Sequence, residues 1–400
     1  MAATTTASEQ APAARTEENH AHVDPAARLT GYDVPVQTRS ERLRSYDPAD
    51  FATPTGREVN WKHTPMNRIG ALLDATAGDA DAVSVTVTGA PVGTLAIGEA
   101  PRGTAFEPED LPSAIAWAAA SDARHVILDG EPAEPVVIEV AGRGGVAHEH
   151  LVIEARPNAQ ATVVLRHSGS VTLAENVEII VGEGAHLKVV TVQEWQDDAI
   201  HLSAHQALVG KDATLRHFIV SFGGDVVRVN PNVRLAGNGS HADVYGIGFC
   251  DAGQHLENQV YVFHEGASTS ADVLYKSALQ GEQAHTVWIG DVLIGPDAVG
   301  TDSYEANRNL VLTEGAHADS IPNLEIEIGD IVGAGHASAT GRFDDEQLFY
   351  LQARGIDEAE ARRLVVLGFL SELVQRIGIP ALESELIADI ERELGEETEA

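Results

Sequence analysis

The sequence predicts a mainly β protein built on a parallel β-helix, a solenoid with an α-containing N-terminal region and a C-terminal helical domain. Three observations carry that expectation. From about His125 to Ile328 the chain is a succession of short apolar or alternating runs: HVILDG, PVVIEV, HLVIEA, ATVVLRH, VEIIVG, HLKVVTV, ATLRHFIV, DVVRV and NVRLAG. Each has strand length and composition and is bounded by Gly, Asn, Asp or Pro. No amphipathic helix of about ten residues or more interrupts them, which argues against alternating βαβ units and a dinucleotide fold. Third, small residues recur after Gly- or acid-rich turns, at Gly184-Ala185-His186, Asp212-Ala213, Gly239-Ser240-His241, Gly266-Ala267, Asp297-Ala298 and Gly315-Ala316-His317. The first four lie about 27 or 28 residues apart, room for two strands and two turns, or one coil of a solenoid. A β-sandwich would also give regular strands but would not demand a small residue at each corner.

In chain order, residues 1–45 are rich in Ala, Thr, Glu, Pro and Arg without periodicity and read as a disordered lead-in. Residues 46–124 form a mixed, partly helical region. Trp61 and Met66 are expected anchors, and DLPSAIAWAAAS reads as a helix with Asp110 as N-cap and Pro112 in its first turn. Residues 125–335 make the β-helix core. Residues 336–400 make the helical domain, with apolar positions at helical spacing, Gly355 as a break, Asp357 as a cap and Pro380 ahead of a third amphipathic stretch. That domain either caps the last coil or presents an apolar face to a partner.

Composition narrows the function. The net charge of −35 repels phosphate backbones and anionic membranes, so neither nucleic acid nor membrane is expected as a partner. No apolar run reaches the length of a spanning helix and the N-terminus lacks the apolar stretch of a secretory signal, so a cytoplasmic location is expected. With Cys250 as the single cysteine, neither an internal disulfide nor a multi-thiolate cage can come from this chain alone. VYGIGFC places that thiol in a strand, as a buried, inert group.

No phosphate-binding G-x-x-x-x-G-K-[ST] occurs, nor H-E-x-x-H, nor G-x-S-x-G. Gly142-Arg143-Gly144-Gly145 is not followed by a helical pattern and reads as a surface turn. Of the seventeen histidines, His148 and His150 share a strand face with Glu149 opposite, but a third ligand is lacking nearby. His186, His241 and His317 sit at the repeated corners and read as turn-packing residues.

A series of motifs then falls in one order: Trp61-Lys62-His63-Thr64, Gly253-Gln254-His255 with His264, Leu274-Tyr275-Lys276, Asn307-Arg308-Asn309-Leu310, Pro322-Asn323-Leu324-Glu325-Ile326, Gly335-His336-Ala337 through Gly341, Asp344 through Leu351, and Arg354-Gly355-Ile356. In these the chain resembles the SufB/SufD family of SUF iron–sulfur cluster assembly. The resemblance implies a right-handed β-helix, a SufB-type paralogue paired at its end, and a SufC-type ABC ATPase docked on the C-terminal helices. It also implies a non-enzymatic scaffold of SufD type, because Ala334 stands where SufB carries a cysteine. His336 becomes the candidate ligand for iron or a nascent cluster at the SufB interface. Phe343, Gln347, Leu348, Phe349, Tyr350, Leu351, Leu364 and Phe369 become the candidate ATPase-docking residues. No cofactor is expected to stay on the isolated chain; the complex would carry a transient Fe–S cluster or iron and, as the family suggests, a reduced flavin. Isolated chains could pair as homodimers. The competing readings are a carbohydrate-active β-helix lyase or hydrolase, and a purely structural stabiliser of SufB. Residues from about 381 lie beyond the resemblance.

Overall fold

The computed structural model describes residues 42–75, 78–343 and 345–396. Nearly all of the expected disordered lead-in therefore lies outside the described residues. The expected fold is present: a parallel β-solenoid with few helices. Its first strands are β1 (Val83–Thr88), β2 (Val92–Ala96), β3 (Asp122–Leu128), β4 (Val136–Ala155) and β5 (Gln160–Val181). Then come β6 (His186–Trp195), β7 (Ile200–Val209), β8 (Thr214–Phe222), β9 (Val226–Leu235), β10 (His241–Cys250) and β11 (His255–His264). The last five are β12 (Ser270–Leu279), β13 (His285–Ile294), β14 (Asp302–Val311), β15 (His317–Ile326) and β16 (Gly333–Arg342). The helices are α1 (Leu111–Ala119), α2 (Asp345–Gln352), α3 (Glu358–Arg376) and α4 (Pro380–Glu396).

From β6 onward, strands alternate between two parallel faces. Even-numbered strands stack as β6-β8-β10-β12-β14-β16 and odd-numbered ones as β7-β9-β11-β13-β15, while the long β4 and β5 bend across both faces. Gly142-Arg143-Gly144-Gly145 falls where β4 bends and its register with β5 shifts, which gives the turn reading a concrete form. β1 and β2 pair antiparallel to β4 and β3 at the first coil.

The repeat has a physical cause and one correction. In successive coils Gly184, Asp212, Gly239, Ser268 and Gly300 have φ of 66°, 52°, 71°, 56° and 74°, the left-handed conformation that turns the chain from the odd face to the even face. Their amides donate across coils, as from Gly184 to the Lys211 carbonyl and from Ser268 to that of Val299. The fourth corner is thus Ser268-Thr269, not Gly266-Ala267, and the fifth is Gly300-Thr301. Gly315-Ala316-His317 belongs to the opposite edge with Gly253 and Gln283, so its short spacing from Asp297-Ala298 comes from mixing two edges.

Inside, the coils pack Val, Leu, Ile and Ala into one continuous core. Outside, each face carries a helical layer. Trp61, Ile69, Leu72 and Ala116 of α1 cover Ala174, Leu202 and Val226 on the odd face. Asp110 caps α1 in a reciprocal capping box with Ser113. On the even face, Val366, Leu370, Leu373 and Val374 of α3 and Leu382, Leu386 and Ile390 of α4 cover Val190, Phe218, Tyr245 and Leu274. Arg166 of β5 bonds Glu385 of α4, whereas Lys276 of β12 bonds Glu372 of α3. The helical domain therefore runs back along the flank of the solenoid instead of capping its last coil. Strand β16 also continues the β region to Arg342, beyond the boundary expected at 335, so His336 is a strand residue.

Candidate functional site

The last coil differs chemically from those before it. Stacked in register on the inward side of the even face are Val189, His217, Val244, Val273, Glu305 and finally His336. The next inward column ends in Asn307 and Ser338, the one beyond it in Asn309 and Thr340. The third column is already polar in earlier coils, at Gln193, Ser221 and Ser277, and at the open end the other two become polar as well. Asn309 Nδ2 donates to Asn307 Oδ1 at 2.8 Å, Ser320 Oγ at 3.0 Å and Thr340 Oγ1 at 3.1 Å, and Ser320 Oγ donates to Asn307 Oδ1 at 2.6 Å. The two asparagines of the N-R-N-L run therefore tie β14 to both terminal strands. Asn323 Nδ2 reaches Asp291 Oδ1 at 2.9 Å, so the P-N-L-E-I run does the same for β15 and β13.

Glu305 lies under His336, and among the described residues no side chain hydrogen-bonds its carboxyl. Burial, reinforced by nearby Asp291, pushes its carboxyl up to about 8, so it is mostly protonated near neutrality. His336 is exposed. Ala334, on the same inward side, is half-buried against the core and offers only a methyl group. Among the described residues β15 and β16 are each paired along one edge, so their other edges present free backbone donors and acceptors. The small side chains of β16, GAGHASATGR, leave that edge flat.

The candidate docking residues fall into two groups. Phe349, Tyr350 and Leu364 are exposed on α2 and α3, Phe349 to 72%. Leu348 is buried, and Leu351 is half-buried. Phe369 packs toward the solenoid with the Lys276 ammonium 5.0 Å from its ring centroid, and Phe343 lies under the Arg362 guanidinium at 4.8 Å. Leu348 and Phe369 thus serve internal packing. The Gln347 side chain lies outside the described residues.

Other expectations resolve locally. Cys250 is buried and its thiol is pushed up to about 12 by burial, which makes it inert. His148 and His150 share the outward face of β4, where His150 is wedged against Phe106 and Trp117. Trp61 is buried, with the Arg228 guanidinium 3.8 Å from its ring centroid.

The sequence reading missed two histidine clusters. Inside the solenoid, His167 Nε2 and His201 Nε2 lie 2.9 and 3.4 Å from Glu175 Oε2, all fully buried. Burial opposes ionisation of Glu175, but the two imidazoles outweigh it and hold the carboxyl well below its usual range. At the coil edge, His63, His285 and His317 surround Asp319. Spacing along the chain could not have signalled either group, because each is assembled from different coils. The recurrence of His at the first position of β11, β13 and β15 was the available clue.

This arrangement, a two-faced solenoid with a polar terminal coil, a strand edge left unpaired among the described residues and a flanking helical domain, defines the class as a parallel β-solenoid protein. A family profile described as "SUF system FeS cluster assembly, SufBD core domain" matches residues 137–369, from β4 into α3, which takes in every motif of the series except Trp61-Lys62-His63-Thr64. An iron-sulfur cluster assembly SufBD family protein of Mycobacterium bovis is 48% identical over 372 residues, covering 90% of this chain and 94% of that protein. One from Mycobacterium leprae is 47% identical over 379 residues, covering 92% and 97%. Iron-sulfur cluster assembly protein SufD of Escherichia coli is 25% identical over 380 residues, covering 85% and 89%. The chain belongs to the SufB/SufD family of iron–sulfur cluster assembly components.

Proposed function

We propose that this chain is a SufD-type, non-catalytic scaffold subunit, which joins a SufB-type paralogue through the open edge of β15 and β16 and receives or helps to build a cluster there. The observation that carries the reading is the terminal coil: an exposed His336 in register over a buried Glu305, on a strand edge unpaired among the described residues, with alanine at 334. An imidazole can ligate iron, while thiolate and sulfide would have to come from the partner. The flanking helices, with Phe349, Tyr350 and Leu364 outward, would be the seat of a SufC-type ATPase. A cytoplasmic location and a reduced flavin in the complex belong to the same reading. The family match gives no support to a carbohydrate-active solenoid.

Anaerobic co-expression with the two expected partners, followed by cluster reconstitution, tests it. His336→Ala should leave the complex assembled but cut cluster build-up at least tenfold. Unchanged build-up would favour a purely structural stabiliser of the paralogue, and failure of the chain to co-purify with either partner would overturn the scaffold reading.

A further inference from the structure

At the edge where odd-face strands begin, His255, His285 and His317 stack in register on β11, β13 and β15. His63, from the N-terminal segment, folds onto the same edge. Its Nδ1 lies 3.1 Å from Asp319 Oδ2, while His285 Nε2 and His317 Nε2 lie 2.9 and 3.2 Å from that same oxygen. A single carboxylate oxygen has too few lone pairs to accept well from three ring N–H groups.

The proton positions sharpen the conflict. Glu257 is ion-paired with Arg228 at 3.1 Å and accepts from Thr64 Oγ1 at 2.7 Å, so it is a carboxylate. His255 Nε2 lies 3.0 Å from Glu257 Oε2 and must donate to it. In neutral His255 the bare nitrogen is then Nδ1, which lies 3.1 Å from His285 Nδ1. His285 Nδ1 must therefore carry the hydrogen, and its bare nitrogen becomes Nε2, the atom aimed at Asp319. A lone pair facing a carboxylate is repulsive unless a cation stands between them.

We propose that His63 Nδ1, His285 Nε2 and Asp319, with His317 at the rim, form a binding site for a divalent first-row transition metal that fastens the N-terminal segment to the solenoid. Two or three imidazoles and one carboxylate suit Zn(II) or Fe(II) rather than Mg(II) or Ca(II). The His63, His285 and Asp319 donor atoms lie within 4.8 Å of one another. The contacts of 2.9 and 3.1 Å to Asp319 match the roughly 2.9–3.4 Å between neighbouring ligands on a metal with bonds of about 2.0–2.1 Å. His255 and Glu257 continue inward as the hydrogen-bonded relay that fixes the ligating tautomer of His285. The cluster is half-buried, so the ion can enter from solvent. The site is separate from His336 and does not depend on the scaffold reading.

The test uses the tagless full chain, stripped with chelator, desalted and titrated anaerobically with Co(II). One equivalent should bind with a visible d–d spectrum, and hydrogen exchange in residues 56–73 should slow. Asp319→Asn and His63→Ala should each weaken binding at least tenfold and abolish that protection, and His186→Ala, at a remote corner, should change neither. Absence of a d–d band, or binding unaffected by Asp319→Asn and His63→Ala, overturns the proposal. Because Asp319→Asn preserves side-chain shape, it keeps the test decisive should His63→Ala loosen the N-terminal segment.

Discussion

Lys276 of β12 reaches out of the even face to α3, where its Nζ donates to Glu372 Oε2 at 2.5 Å and to the Phe369 carbonyl at 2.9 Å. The three residues of the L-Y-K run thus divide their work: Leu274 packs under the helices, Tyr275 fills the interior and Lys276 fastens the helical layer. Replacing Lys276 with Met keeps the stem and removes the donor. The expected cost is about 1–3 kcal/mol, read by urea denaturation, with faster proteolysis between β16 and α3. An unchanged cleavage rate would mean that the apolar face of α3 holds the helices unaided.

Arg228 is 2% exposed and joins Trp61, Asp110, Glu257 and the Asn60 carbonyl. Arg228→Ala would leave Glu257 buried without its guanidinium and should cost about 3–5 kcal/mol. Arg228→Lys should not rescue, because an ammonium cannot bond all of these groups from one plane. Thermal unfolding of the two variants beside the parent decides.

Burial opposes ionisation of Glu257, but Arg228 and His255 more than reverse this and lower its carboxyl to about 2. A depressed carboxylate contributes stability that is full above its unfolded value, 4.5, and lost as pH falls towards 2. The loss should be on the order of 3 kcal/mol. Denaturation midpoints measured from pH 6 downward should drop more steeply for the parent than for Glu257→Gln.

Glu305 has the opposite sign. Its folded carboxyl sits at about 8, above the unfolded 4.5, so the folded state holds the extra proton and stability falls as pH rises between those values. Glu305→Gln should therefore raise the melting temperature most at pH 8–9 and leave it nearly unchanged near pH 4. A pH-independent gain would place the effect in packing instead.

Gly246 lies in register under Tyr275, and a Cβ there would meet the Tyr275 ring at 1.9 Å. Gly246→Ala should destabilise by about 1–3 kcal/mol or more through overpacking, and Tyr275→Leu in the same chain should recover part of the loss. Additive effects of the two changes would contradict direct contact.

The strand runs, the helix at Asp110 and the coil length were legible because each is local: a period-two pattern, a cap and a turn conformation repeated once per coil. The ordered motifs carried the family for the same reason. What was not legible depended on coil-to-coil register. The corner motif at Gly315 resembled that at Gly239 but lies on the other edge, because left-handed turn residues serve both edges equally well. β1 and β2 were missed within a region read for helices, although VSVTVT alternates.

By itself, the sequence determined a solenoid: strand propensity, small corner residues and an aliphatic repeat leave a chain few other ways to bury its apolar faces. It also determined that the chain lacks the thiolates for a cluster cage of its own. Only the tertiary structure decided that the C-terminal helices lie along the flank and, among the described residues, leave the terminal coil unpaired at its edge, since an amphipathic helix specifies an apolar face but not what covers it. The same holds for Glu305 beneath His336 and for His63 beside His285 and Asp319. Those groups meet through stacking of coils about 30 residues apart in sequence or more, and their chemistry comes from burial and mutual approach, which no linear spacing encodes.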